Sequence, residues 1–170
     1  MPGLIPWAFA QSAYRIDYEK LRRSGVRGLI FDIDYTLVAH NAPAAGKTLK
    51  MFAYLKRMGF RCVFLSNNGE RRAAWFNERI GIDVVTGAMK PLPYGFRKAL
   101  RVLDLPAAAV VSVGDQIFTD ILGSNLAGIR SILVGRMDKE REWHLVLKAL
   151  LEKLILAVIR KTGKERRIDR

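Results

Sequence analysis

At 170 residues, 50% of them hydrophobic, the chain is long enough to bury one core of ordinary size. A single cysteine, Cys62, excludes an internal disulfide, and its place in the apolar run CVFL reads as a small buried side chain. Lysine and arginine outnumber aspartate and glutamate by 29 to 16, a formal charge of +13 that favours a polyanionic partner: nucleic acid, anionic lipid or a phosphorylated substrate.

The opening MPGLIPWAFAQSAY has neither a basic start nor an unbroken apolar stretch, and no run along the chain is long and uncharged enough to span a membrane. The expectation is a cytoplasmic protein, with peripheral contact at a membrane left open. Residues 1–26 read as an extension ahead of the first clear strand, and 1–170 as a single domain.

From there, short apolar runs rich in Val and Ile recur at VRGLIFDID, FRCVFLSNN, IDVVTG, AVVSVGD and RSILVG. Between them, helical spacing covers 43–58, 70–80, 91–103 and 119–127, with Pro43 and Pro91 near helix starts and Gly59, Gly81 and Gly128 just past helix ends. Helical crossovers demand parallel neighbours, so the pattern predicts an α/β three-layer, doubly wound sandwich on a five-stranded, mostly parallel sheet.

Such a sheet binds ligands beyond the carboxyl ends of its strands, where the winding reverses. The residues there are Asp32 and Asp34, then Ser66 and Asn67, then Lys90, then Asp115 with Asp120. Asp32 and Asp34 share a strand face by the two-residue period, and Asp115 adds a third negative charge. Clustered carboxylates stay ionised only if a cation balances them, and an oxygen-ligated Mg²⁺ that bridges to phosphate suits this set, whereas zinc lacks its usual His and Cys ligands. One aspartate can then attack phosphorus while the other passes a proton. Ser66 can donate to a transferring phosphoryl oxygen and Lys90 can balance its charge.

The segments DIDYT, SNN, KP and GDQIFTD resemble, in order, the four motifs of the haloacid dehalogenase (HAD) superfamily. From about Leu4 to Gly163 the chain is similar to its subfamily IIIA phosphatases of the YqeG type, which are related to phosphatidylglycerophosphate phosphatases. That resemblance implies Asp32 as nucleophile and Mg²⁺ ligand, and Asp34 as acid/base whose backbone carbonyl also meets the metal. It implies Asp115 as the third protein ligand, Asp120 and Thr36 in support, and Ser66, Asn67 and Lys90 around the phosphoryl group. Tyr35 departs from the small or amide residue usual in the first motif, and His40 reads as a solvated loop residue.

The intervals from Thr36 to Ser66 and from Ser66 to Lys90 are each used up by one helix and its strand, leaving no room for a cap domain. The site should be open, which suits a phosphate presented on something large. Residues 142–161, EWHLVLKALLEKLILAVIRK, predict a helix with a wide apolar face, followed by a basic tail over 162–170. That face suits packing on the sheet or on a second subunit as a homo-oligomer, or docking with RKTGKERR on an anionic membrane, where Trp143 and the opening LIPWAF would add contacts. His144, in the same helix, reads as structural or exposed. The leading function is a Mg²⁺-dependent phosphomonoesterase acting on phosphatidylglycerophosphate or a similar large substrate. The rivals are a protein or nucleic acid phosphatase and a non-catalytic binding or scaffold protein. No basic stretch interleaved with aromatics offers a base-stacking platform, so nucleic acid is not favoured.

Overall fold

The structure, a computed structural model, describes residues 2–137 and Asp169. The helix expected over 142–161, with Trp143 and His144, and all of the tail 162–170 except Asp169 lie outside the described residues, and so do the oligomer and membrane contacts assigned to them.

The chain builds β1 (Ala8–Ala10), α1 (Tyr18–Arg23), β2 (Gly28–Phe31), α2 (Gly46–Arg57), β3 (Arg61–Leu65), α3 (Glu70–Asn77) and β4 (Asp83–Val85). It continues with α4 (Pro93–Leu103), β5 (Val110–Gly114), α5 (Leu122–Leu126) and β6 (Arg130–Val134). The strands form one sheet in the order β1-β6-β5-β2-β3-β4, and every pairing is parallel. Six strands stand where the sequence led us to expect five. The addition is β1, whose Ala8 and Ala10 pair with Ile132 and Val134 at the sheet edge. Its three residues, two of them alanine, carry little strand propensity of their own, so tertiary pairing decides it. Phe9 packs on Ile117, Ile121 and Leu133, while Ala13, Ile16, Tyr18 and Leu21 enter the main core. The opening segment thus packs into the fold, and Trp7 lies partly buried against that core beneath the Arg130 guanidinium, 5.1 Å from its ring centre.

Successive strand residues face opposite layers. Leu29, Phe31 and Phe64 join the core under α1, α2 and α3, whereas Ile30, Val63 and Leu65 join the one under α4. Phe31, Phe52, Phe64 and Phe76 meet edge to face at centroid distances of 5.3, 5.1 and 5.2 Å, tying α2 and α3 to the strands just below their carboxyl ends. Cys62 packs against this core, and burial pushes its thiol up to about 12, which leaves it inert at neutral pH.

All four expected helices differ in detail, α2 beginning at Gly46 rather than at 43 and ending at Arg57. α3 stops at Asn77, whose side chain exchanges two hydrogen bonds with Ile82. α4 begins at Pro93 rather than Pro91, with that proline in its first turn. The expected helix 119–127 is a π-turn, Ile117–Ile121, running into α5. Among the described residues no domain is inserted between β2 and β3 or between β3 and β4, and no helix is long and apolar enough to cross a membrane. The winding reverses between the central neighbours β2 and β5, which sets the crevice beyond Phe31 and Gly114.

Candidate active site

Asp32 is the first residue past β2, and its backbone N–H still donates to Val113 on β5 at 3.0 Å. Its carboxylate therefore emerges from the crevice floor. Lys90 Nζ lies 2.6 Å from Asp32 Oδ1 and 2.6 Å from Asp120 Oδ1, while the Thr36 hydroxyl spans Asp32 and Asp115 at 3.2 Å to each. Oxygens of Asp32, Asp115 and Asp120 converge within 4.8 Å.

These charges perturb one another. Burial raises Asp32 to about 6, with Asp120 and Asp34 adding to the rise and Lys90 opposing it. Asp115 is raised well above the usual carboxylate range by burial first and then by Asp120 and Asp32, against Arg136 and Lys90. Burial alone would lower Lys90, but Asp120 and Asp32 outweigh it and leave its pKa raised, so it stays cationic. Lys90 supplies one positive charge to three carboxylates, and Asp115 Oδ2 is buried without a hydrogen-bond partner, its near neighbour being Arg136 Nε at 3.5 Å. An oxygen-only set with a surplus of negative charge and an orphaned buried oxygen fits a hard divalent cation.

Asp34 follows a different course from the one its spacing suggested. β2 ends at Phe31, ahead of both aspartates, so the two-residue strand period does not carry through to them, and Tyr35 just past Asp34 takes a positive φ of 67°. Asp34 accepts from Asn68 Nδ2 at 2.7 Å, Arg72 Nη2 at 2.8 Å and the Asn41 backbone N–H at 3.0 Å. The two aspartates have separate partners: Asp32 joins the lysine and the acidic cluster, Asp34 the amide and the guanidinium.

Ser66, buried past β3, accepts from the Asn68 N–H at 3.1 Å and keeps its own hydroxyl hydrogen to donate. Asn67 clasps the Lys90 backbone, accepting from its N–H at 2.7 Å and donating to its carbonyl at 3.2 Å. Its amide thus fixes Lys90 in place. Tyr35 stacks on His40 with ring centres 5.5 Å apart and receives the Arg136 guanidinium 4.1 Å from its ring centre. His40, read from the sequence as a solvated loop residue, is half exposed, with Nδ1 3.8 Å from Asp34 Oδ1.

Sequence reasoning missed Asn68, Arg72 and Arg136. Arg136 had a signal, since it stands two residues past β6 as Asp115 stands one past β5, and a reading of strand ends carried to the last strand reaches it. Asn68, in the loop just before α3, and Arg72, in its first turn, stand in a polar stretch where nothing local says which side chains turn inward.

A parallel sheet that gathers three aspartates and a lysine beyond the carboxyl ends of its central strands is the architecture of an α/β enzyme with its crevice at the switch point. The chain belongs to the haloacid dehalogenase-like hydrolases, whose family model matches residues 12–128, and it is an enzyme of the phosphatase type. It is 33% identical over 160 residues to the probable phosphatase YqeG of Bacillus subtilis, covering 94% of this chain and 93% of that one. It is 28% identical over 140 residues to the chloroplastic phosphatidylglycerophosphate phosphatase 1 of Chlamydomonas reinhardtii, covering 76% of this chain but 52% of the algal protein. In fold it is similar to the cobalt-bound deoxy-D-mannose-octulosonate 8-phosphate phosphatase of Haemophilus influenzae, with a TM-score of 0.54 and 13% identity over 68% of this chain and 70% of that one.

Proposed function

We propose that the protein is a Mg²⁺-dependent phosphomonoesterase that works through an aspartyl-phosphate on Asp32, with phosphatidylglycerophosphate at an anionic membrane surface as the leading substrate. The observation that carries this reading is the Asp32 carboxylate, rising from the crevice floor beside Lys90, Asp115 and Asp120. Asp32 attacks phosphorus, Ser66 and Lys90 hold the phosphoryl oxygens, and Asp34 protonates the leaving oxygen and then takes a proton from the attacking water. Asp32, Asp115 and the Asp34 carbonyl would hold Mg²⁺, supported by Asp120 and Thr36. Bound there, the ion would balance the carboxylates and the charge on the phosphoryl oxygens.

Several features support a large or surface-bound substrate. No cap covers the crevice among the described residues, and the formal charge is +13. Met89, Leu92 and Tyr94, on either side of Lys90, are more than half exposed, an apolar rim suited to an interface. The likeness to a phosphatidylglycerophosphate phosphatase points the same way.

The test compares release of phosphate from phosphatidylglycerophosphate in anionic vesicles with release from glycerol phosphate, sugar, nucleotide and peptide phosphates, in Mg²⁺ and in chelator. We expect vesicle-borne lipid to be cleaved fastest and added salt to weaken the preference. Equal rates on soluble and vesicle-borne phosphates, without vesicle binding at low salt, would remove the lipid and leave the phosphatase.

A further inference from the structure

Arg72 sits where a cation is costly. It lies in the first turn of α3, at the positive end of the helix dipole, and its side chain is only 11% exposed. The guanidinium packs against aromatic rings, 5.4 Å from the centre of Trp75 and 5.5 Å from that of Phe76. Two of its nitrogens, Nε and Nη1, are buried without a hydrogen-bond partner. Packing alone gives no reason for this, because an apolar side chain would cover Phe76 without stranding donors.

What the guanidinium does is concentrated in Nη2, which donates to Asp34 Oδ1 at 2.8 Å and to the Ala42 carbonyl at 2.9 Å. It thereby joins α3 to the loop that follows the first motif. Asp34 Oδ1 also accepts from the Asn41 N–H at 3.0 Å, so both of its lone pairs are taken. Asp34 Oδ2 accepts from Asn68 Nδ2 alone among its hydrogen bonds, at 2.7 Å, and keeps one lone pair open.

We propose that Arg72 is a positioning residue for the acid/base: it occupies Asp34 Oδ1, fixes the carboxylate plane and leaves Oδ2 as the oxygen that carries the proton. This rests on the reading of Asp34 as acid/base given above. When the Asp32 oxygen bonds to phosphorus and the bond to the leaving oxygen breaks, the proton on Oδ2 passes to that oxygen. When water then attacks phosphorus and the bond to Asp32 breaks, the water proton returns to Oδ2. A free carboxylate would sample other rotamers, and a misplacement of about 1 Å costs about 10²-fold in rate.

The experiment measures single-turnover phosphoenzyme formation in Mg²⁺ with two substrates: the alkyl phosphate the wild type turns over fastest, and p-nitrophenyl phosphate, whose leaving group departs without a proton. Arg72→Met should slow formation by about 10²-fold on the alkyl phosphate and by less than about 10-fold on p-nitrophenyl phosphate. Arg72→Lys should recover part of the loss. Asp34→Asn combined with Arg72→Met should be no slower on the alkyl phosphate than Asp34→Asn alone, because Arg72 acts through Asp34. Circular dichroism checks folding, and if Arg72→Met unfolds, the same contrast between substrates is read from Arg72→Lys. Equal losses on both substrates, or additive losses in the double variant, would overturn the role of Arg72 alone. A wild type that forms no phosphoenzyme on either substrate would overturn the mechanism and this role with it.

Discussion

Asp120 folds back over Gly114 so closely that a β-carbon on the glycine would stand 2.4 Å from both Cβ and Cγ of the aspartate. The π-turn over Ile117–Ile121 produces this approach, turning Asp120 from the start of α5 back to Lys90 and the end of β5.

Gly114→Ala should therefore displace Asp120 and with it Lys90. Overpacking of this kind costs about 1–3 kcal/mol, and activity should fall at least about 10-fold while the far end of the sheet keeps its structure. Thermal unfolding and steady-state kinetics check both, and an alanine variant with unchanged kinetics would show that the approach of Asp120 has no bearing on the site.

Lys90→Met tests the electrostatic account. Removing the cation leaves Asp32 and Asp120 buried without their closest positive partner, and breaking a buried pair costs about 3–5 kcal/mol. The expected outcome is a large drop in melting temperature without metal, a smaller drop in Mg²⁺, and turnover reduced by about 10²-fold or more. Equal melting temperatures for variant and wild type in chelator would contradict it.

The raised carboxylates predict how stability depends on pH. Asp32 titrates at about 6 when folded against 3.8 for a free aspartate, so the folded chain binds this proton more tightly than the unfolded chain does. Stability contributed by this group is greatest below the unfolded value, falls as pH rises through the window up to about 6, and stays low above it. Asp115, also raised, acts in the same direction. A divalent cation favours the ionised form, so Mg²⁺ should raise the melting temperature more at about pH 7.5 than at about pH 5. Differential scanning fluorimetry in Mg²⁺ and in chelator measures it, and a larger rise at the acidic pH would reverse the sign.

The strand ends were the legible part of the site. Buried parallel strands are continuous apolar runs, so the polar residues that close them stand out, and four of those found this way, Asp32, Lys90, Asp115 and Asp120, converge in space. The short β1 was not legible, because a three-residue stretch with two alanines becomes a strand only by pairing with β6. The partners of Asp34 were hidden for a similar reason. The strand ends at Phe31, before either aspartate, and Asn68 and Arg72 meet Asp34 only through the packing of α3 and the loop before it. The resemblance put Asn67 around the phosphoryl group, but its grip on the Lys90 backbone was not legible, because it depends on a loop 23 positions away.

The most direct test is Asp32→Asn, assayed with the best substrate of the screen in saturating Mg²⁺. An amide is a far weaker nucleophile and metal ligand than a carboxylate. The account predicts that phosphate release falls below detection and that no acid-trapped phosphoenzyme forms, while circular dichroism shows an intact fold. Undiminished phosphate release by the variant would contradict it.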